Sequence, residues 1–127
     1  MNDEVRKDRK QDLSVRTKDF ALRIVRMYVK LPKSPLSEVL GKQVLRSGTS
    51  VGAHYREARR ARSTAEFISK LEVAIQELDE TGYWLELICE SKVVRGDLLA
   101  ELRDEVRELL AILVASVKTA KRNRNNA

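Results

Sequence analysis

Both prolines of this 127-residue chain, Pro32 and Pro35, fall within four positions of each other, and long proline-free stretches lie on either side. Proline lacks an amide proton and pushes the residue before it out of the α region, so helices stop there and can run freely elsewhere. The flanking segments are dense in Leu, Val, Ala, Glu, Lys and Arg, which suits long helices better than short strands joined by tight turns. An all-α fold is the expectation, and the length suits one domain that buries roughly two-thirds of its unfolded surface.

Apolar spacing divides the chain into four helices. Phe20, Ile24, Val25, Met27, Tyr28 and Leu31 recur at three and four, predicting a first helix over 13–31 after a polar tail over 1–12. Ser34 followed by Pro35 reads as an N-cap with proline at the first helical position, opening a second helix over 35–61. Ser63-Thr64-Ala65-Glu66 is a capping box that starts a third helix over 64–91. Its apolar stripes are Leu71/Leu78/Leu85 and Phe67/Ala74/Thr81/Ile88. Asp97 is placed to cap a fourth helix over 97–122, carried by Leu98, Leu102, Val106, Leu109, Leu113 and Val117, with 123–127 frayed. Short connections between helices of this length favour antiparallel neighbours, hence an up-down-up-down four-helix bundle.

The second helix is unusual in its middle. Gly41, Ser47, Gly48, Thr49, Ser50, Gly52 and Ala53 offer little side-chain volume, and an internal glycine costs about 1 kcal/mol against alanine. Gly48 and Gly52, one turn apart, predict close approach of another helix. If the second and third helices turn back on each other near residue 62, positions summing to about 125 face one another. That pairs Arg46 with Asp79 and Glu80, Gln43 with Gly82, Ser50 with Ile75 and Glu57 with Ile68. Gln43, Arg46, Ser50, Glu57, Asp79 and Glu80 then form a structural polar core that fixes register.

Charge is distributed unevenly. The total is +6, yet residues 63–91 carry seven acids against Lys70 alone, while 13–33, 34–62 and 92–127 are all basic. Arg16, Arg23 and Lys30 repeat every seven residues with Arg26 beside them, making one stripe about 21 Å long that could track phosphates. Arg56, Arg59, Arg60 and Arg62 crowd the end of the second helix, and Lys118, Lys121, Arg122 and Arg124 crowd the end of the fourth. Two readings stay open: contact with nucleic acid, or compensation of helix dipoles and solubility. Six aromatics, most at core spacing, make no stacking platform, so nucleic-acid contact would be phosphate-led and weakly sequence-specific.

Catalysis has little to work with. His54 is the single histidine and Cys89 the single thiol, and the one histidine–carboxylate spacing, His54-x-x-Glu57, runs opposite to the Glu-x-x-His of di-metal bundles. No catalytic residue, metal site or cofactor is expected. Tyr83 and Trp84 point about 100° apart on one helix and cannot share the same interior, so one of them is expected at an oligomer interface. The lone cysteine and the polar N-terminus point to a cytoplasmic protein, and the longest apolar run, Leu109 to Val117, is too short to span a bilayer.

The stretch from Gln43 through Arg46-Ser47-Gly48-Thr49-Ser50-Val51-Gly52-Ala53-His54-Tyr55-Arg56-Glu57 to Ala58 resembles the signature of the 23S rRNA intervening sequence proteins. The similarity extends through Ala61-Arg62-Ser63, Phe67, the Leu31-Pro32-Lys33 turn and the run from Glu77 to Leu87, with His54 standing where that signature has asparagine. The resemblance implies an antiparallel bundle assembled into a ring-shaped homopentamer, akin to accessory proteins of diversity-generating retroelements that bind nucleic acid and a reverse transcriptase. It brings no catalytic residues. The expected role is a non-catalytic, basic, oligomeric protein whose partners are itself, RNA or DNA, and a nucleic-acid-processing protein. The alternative is a protein-binding scaffold with no nucleic-acid role.

Overall fold

A computed structural model describes residues 3–126, with side chains from Leu13 onward. Four α-helices and one short 3-10 turn make up the described chain, which contains no strand: α1 Asp3–Lys30, α2 Pro35–Arg59, α3 Thr64–Glu90, the turn Gly96–Leu99, and α4 Ala100–Asn125. All four helices contribute to one buried core, centred on Phe20, Ile24, Val44, Val51, Leu71, Leu78, Leu85, Ile88, Leu109 and Leu113.

The breaks fall where local chemistry places them. The Ser34 hydroxyl accepts from the Ser37 amide at 3.1 Å, and Pro35 occupies the first turn of α2. Ser63 likewise accepts from the Glu66 amide at 3.1 Å, while Glu66 reaches back to the Arg62 amide at 3.2 Å, one residue beyond the position a standard capping box serves. At the end of α3, Val93 donates to the Ile88 carbonyl and Lys92 to the Cys89 carbonyl, with Lys92 itself at φ 62. That is a Schellman ending built on lysine in the left-handed region where glycine is commonest.

Three boundaries differ from expectation. Helix α1 begins at Asp3, so most of the expected polar tail is helical; its Glu, Arg, Lys and Gln are good helix formers, though they carry no apolar period to reveal it. Met1, Asn2 and Ala127 lie outside the described residues. Helix α4 runs on to Asn125, through most of the expected frayed segment, and its start is delayed to Ala100 by the 3-10 turn. Asp97 caps neither element and pairs instead with Arg95 at 3.2 Å.

Helix α2 lies between α1 and α3, and α4 packs chiefly on α3. A Cβ on Gly41 would meet Leu31 and Tyr28, one on Gly48 would sit 2.8 Å from Ile24 Cγ1, and one on Gly52 would sit 3.2 Å from Thr17 Oγ1. As the residue number rises along α2 it falls along α1. The same inversion links α2 to α3 through Ser47–Thr81 and Glu57–Lys70, and α3 to α4 through Glu72–Lys121 and Gly82–Val106. The expected close approach at Gly48 and Gly52 is therefore made by α1.

The β-branched carbons of buried Ile24 cannot swing away from a methyl at position 48. Gly48→Ala should lower stability by about 1–3 kcal/mol despite its better helix propensity. Gly96→Ala, where nothing lies within 4 Å, should stay near wild type. Urea unfolding of both variants checks the contrast.

Candidate functional site

The most strongly charged region is assembled at one end of the molecule by the ends of two helices. In the last turns of α2, Tyr55 and Ala58 turn inward, which leaves Arg56, Arg59 and Arg60 exposed, followed by exposed Arg62 in the connection. In the last turns of α4, Val117 turns inward and Lys118, Lys121, Arg122 and Arg124 face out. Cross-links bring the two groups to the same end. Arg59 donates to the Ser14 hydroxyl at 2.7 Å, Lys70 near the start of α3 meets Glu57 of α2 at 3.0 Å, and Lys121 meets Glu72 of α3 at 3.1 Å.

Of these eight cations, Arg59 and Lys121 have partners; Arg56, Arg60, Arg62, Lys118, Arg122 and Arg124 form no side-chain ion pair or hydrogen bond among the described residues. The sequence shows two separate basic clusters; the fold makes them one basic end. Both α2 and α4 also terminate there, so part of this charge offsets the negative ends of two helix dipoles.

The stripe expected along α1 does not survive as a unit. The Arg16 guanidinium is held by Glu105 through two nitrogens and by Glu108 at 2.8 Å, both from α4, and keeps only 25% of its side-chain exposure. Its charge is spent joining α1 to α4, which approach each other far less than α2 approaches α1 or α3. Arg23, Arg26 and Lys30 instead border a groove of about 410 Å³ between the second half of α1 and the start of α4.

The expected polar core lies at the surface. Arg46 is 56% exposed and bridges Glu77 at 3.3 Å and Glu80 at 3.0 Å, an arrangement worth about 0–1 kcal/mol at a solvated rim. Glu77 and Glu80 share a face three residues apart; Asp79 lies around the helix from them, beside Arg103 and Arg107 in a second groove between α3 and α4. Gly82 faces Val106 of α4 instead of Gln43, and Ser50 bonds the Arg46 carbonyl of its own helix at 2.7 Å. Gln43 is only half-buried and Glu57 is exposed. The buried polarity at this contact comes from Ser47 and Thr81, whose hydroxyl oxygens are 2.9 Å apart. Thr81 stood in the expected apolar stripe, and its facing serine was the signal to read with it.

His54 sits with Nδ1 3.6 Å from Glu57, beyond hydrogen-bond reach, and that nitrogen is buried without a partner among the described residues. The Lys70 ammonium, hydrogen-bonded to Glu57, holds its carboxyl below the ordinary carboxylate range, and His54 contributes less. Trp84 packs against the core while Tyr83, edge-on to it at 5.2 Å, is 54% exposed, so of the two it is Tyr83 that faces outward. No cluster of three or more His, Cys, Asp or Glu that could hold a metal ion occurs among the described residues, and none of the described helices is long and apolar enough to cross a membrane.

Residues 9–115 match the family described as 23S rRNA-intervening sequence protein. The chain belongs to that family. A crystal structure from Bacteroides thetaiotaomicron, described as a protein with unknown function from the S23 ribosomal protein family, is 37% identical. It superposes with a TM-score of 0.81 over 86% of this chain and 97% of its own. No curated protein matches the chain.

Burial pushes the Tyr55 phenol above the ordinary tyrosine value of 10.0, with nearby Arg59 pulling it partly back. The unfolded phenol ionises near pH 10 and the folded one only above that. This contribution to stability is whole below pH 10 and is lost as pH rises toward the folded value. Tyr55→Phe should therefore lose less stability than wild type between pH 9 and about pH 11, read from urea midpoints normalised to pH 7.

Proposed function

We propose that the chain is a non-catalytic, cytoplasmic accessory protein that binds RNA or DNA through its basic end and works as a homo-oligomer, a ring of five on the family resemblance. Its four helices form an antiparallel up-down-up-down bundle, supported by the inverse numbering of the residue pairs that link one helix to the next. The observation that carries the binding reading is the convergence of Arg56, Arg60, Arg62, Lys118, Arg122 and Arg124, exposed and without ion pairs among the described residues. Part of their charge offsets the ends of α2 and α4, yet the side chains point into solvent and pair with none of the described acids of α3. Unpaired guanidinium and ammonium groups at one pole favour a polyanion, because displaced counterions supply the free energy of association.

Assembly into an oligomer is supported by apolar side chains left in water. Val15, Leu22 and Val29 repeat every seven residues along the outside of α1, Val29 at 74% exposure, and Tyr83 stands out from α3. A heptad row of this kind on a solvent face is a seam for another helix.

In gel shifts at graded salt with ribosomal RNA, single-stranded DNA and duplex DNA, binding should appear at low salt and weaken steeply as salt rises. Arg60→Glu combined with Arg122→Glu should reduce it, with the salt slope shallower by about 0.7–0.9 for each phosphate that the protein ceases to neutralise. No shift at low salt would favour a protein-binding scaffold instead. Light scattering should give a mass several times that of the 14.5 kDa chain, and a monomeric mass removes the ring.

A further inference from the structure

The groove between α1 and the start of α4 has a character that phosphate binding does not explain. Its floor is Met27 and Leu31 of α1 with Val94, Leu98, Leu99 and Leu102 across from them. One wall carries Arg23, Arg26 and Lys30, none of which forms a side-chain ion pair or hydrogen bond among the described residues; the other carries Glu101. Leu98 is 65% exposed in the 3-10 turn, and Val94 follows directly on Val93, whose amide closes the Schellman ending of α3. An apolar trough walled by three unpaired cations on one side and a single carboxylate on the other is amphipathic along its length.

We infer that this groove docks an acidic amphipathic helix from a partner protein. The geometry sets the pattern of the occupant. Arg23, Arg26 and Lys30 lie at spacings of three and four, spanning about 10 Å, so a helix lying along α1 would meet them with carboxylates spaced the same way over two turns. Its leucine-like row would cover Leu98 and Met27, and a basic or hydroxyl side chain on its far edge would meet Glu101, which fixes its direction. A nucleic acid would satisfy the cations but leave the apolar floor bare, and no aromatic ring lines the groove for a base to stack on. A second copy of the chain fits poorly as well. Of the exposed large hydrophobic side chains only Tyr83 lies on the acidic helix α3, so that face brings no apolar row to the floor.

The test uses two labelled helical peptides of about 14 residues, both with leucines at spacings of three and four, one carrying glutamates and its twin carrying lysines at the flanking positions. Fluorescence anisotropy on the full chain should show saturable binding of the glutamate peptide, weakening with salt, and none of the lysine twin. Arg26→Glu with Lys30→Glu should weaken the glutamate peptide by about tenfold or more, and Leu98→Asp, at an exposed position, should do so independently. Arg60→Glu with Arg122→Glu should leave it unchanged, which separates this groove from the basic end. Equal binding of both peptides, or indifference to both groove variants, overturns the inference. So does a fall in light-scattering mass with Leu98→Asp, which would make another copy the occupant. A loss of RNA binding by the Arg26/Lys30 variant with peptide binding intact would make it a nucleic-acid site.

Discussion

The structure depends on how closely α1 can lie on α2. Three glycines spaced seven and four apart remove the Cβ at the points where Leu31, Ile24 and Thr17 come closest, and the contact distances leave no room for a methyl at the central position. Three glycines inside a helix work against it locally by about 1 kcal/mol each, so the helix pair must recover that cost through dispersion contacts and the burial of Ile24 and Phe20. With α1 set by this seam and α3 packed on the other side of α2, the ends of the helices and the charges they bear have nowhere else to go.

Polar contacts refine this arrangement more than they hold it. Arg46 spans Glu77 and Glu80 at a solvated rim, Glu57 is shared between Lys70 and the neighbourhood of His54, and Lys121 reaches Glu72. Each ties one helix to the next, and each remains substantially in water, where such pairs contribute little. Arg16 differs because half-buried Glu105 receives it between α1 and α4, whose backbones approach only briefly. The acidic character of α3 is thus partly consumed by cations from α2 and α4, while the cations at the helix ends keep their charge.

Much of the fold was legible in the sequence because the signals were local. Pro32 and Pro35, the hydroxyls of Ser34 and Ser63, and the small residues at 41, 48 and 52 each act within a turn or two, and the helices stop, start and approach where these residues say. The first turns of α1 were missed because a run of charged helix formers has no apolar period, and the 3-10 turn was missed because Asp97 found Arg95 before it found a helix amide. The candidate site was half visible. Both basic clusters could be read, but their meeting depends on α2 and α4 ending at the same pole, which is a property of tertiary arrangement. The α1 stripe was misjudged for a related reason: a heptad of cations reveals their common face but not that Glu105 and Glu108 wait opposite its first member.

Ser47 and Thr81 add something that neither glycines nor ion pairs provide. Two hydroxyl protons face three acceptors, the Gln43 carbonyl at 3.0 Å, the Glu77 carbonyl at 2.7 Å and the Ser47 oxygen at 2.9 Å from Thr81, so the bond between helices shares protons with the bonds inside them. Leucine and valine would tolerate a small axial slip of α3 along α2 almost as readily as no slip at all. Sliding by a single residue, about 1.5 Å, would break the bond between the two hydroxyls and leave each with only the carbonyl of its own helix. The pair therefore acts as a locating pin, giving a greasy and forgiving contact a preferred alignment.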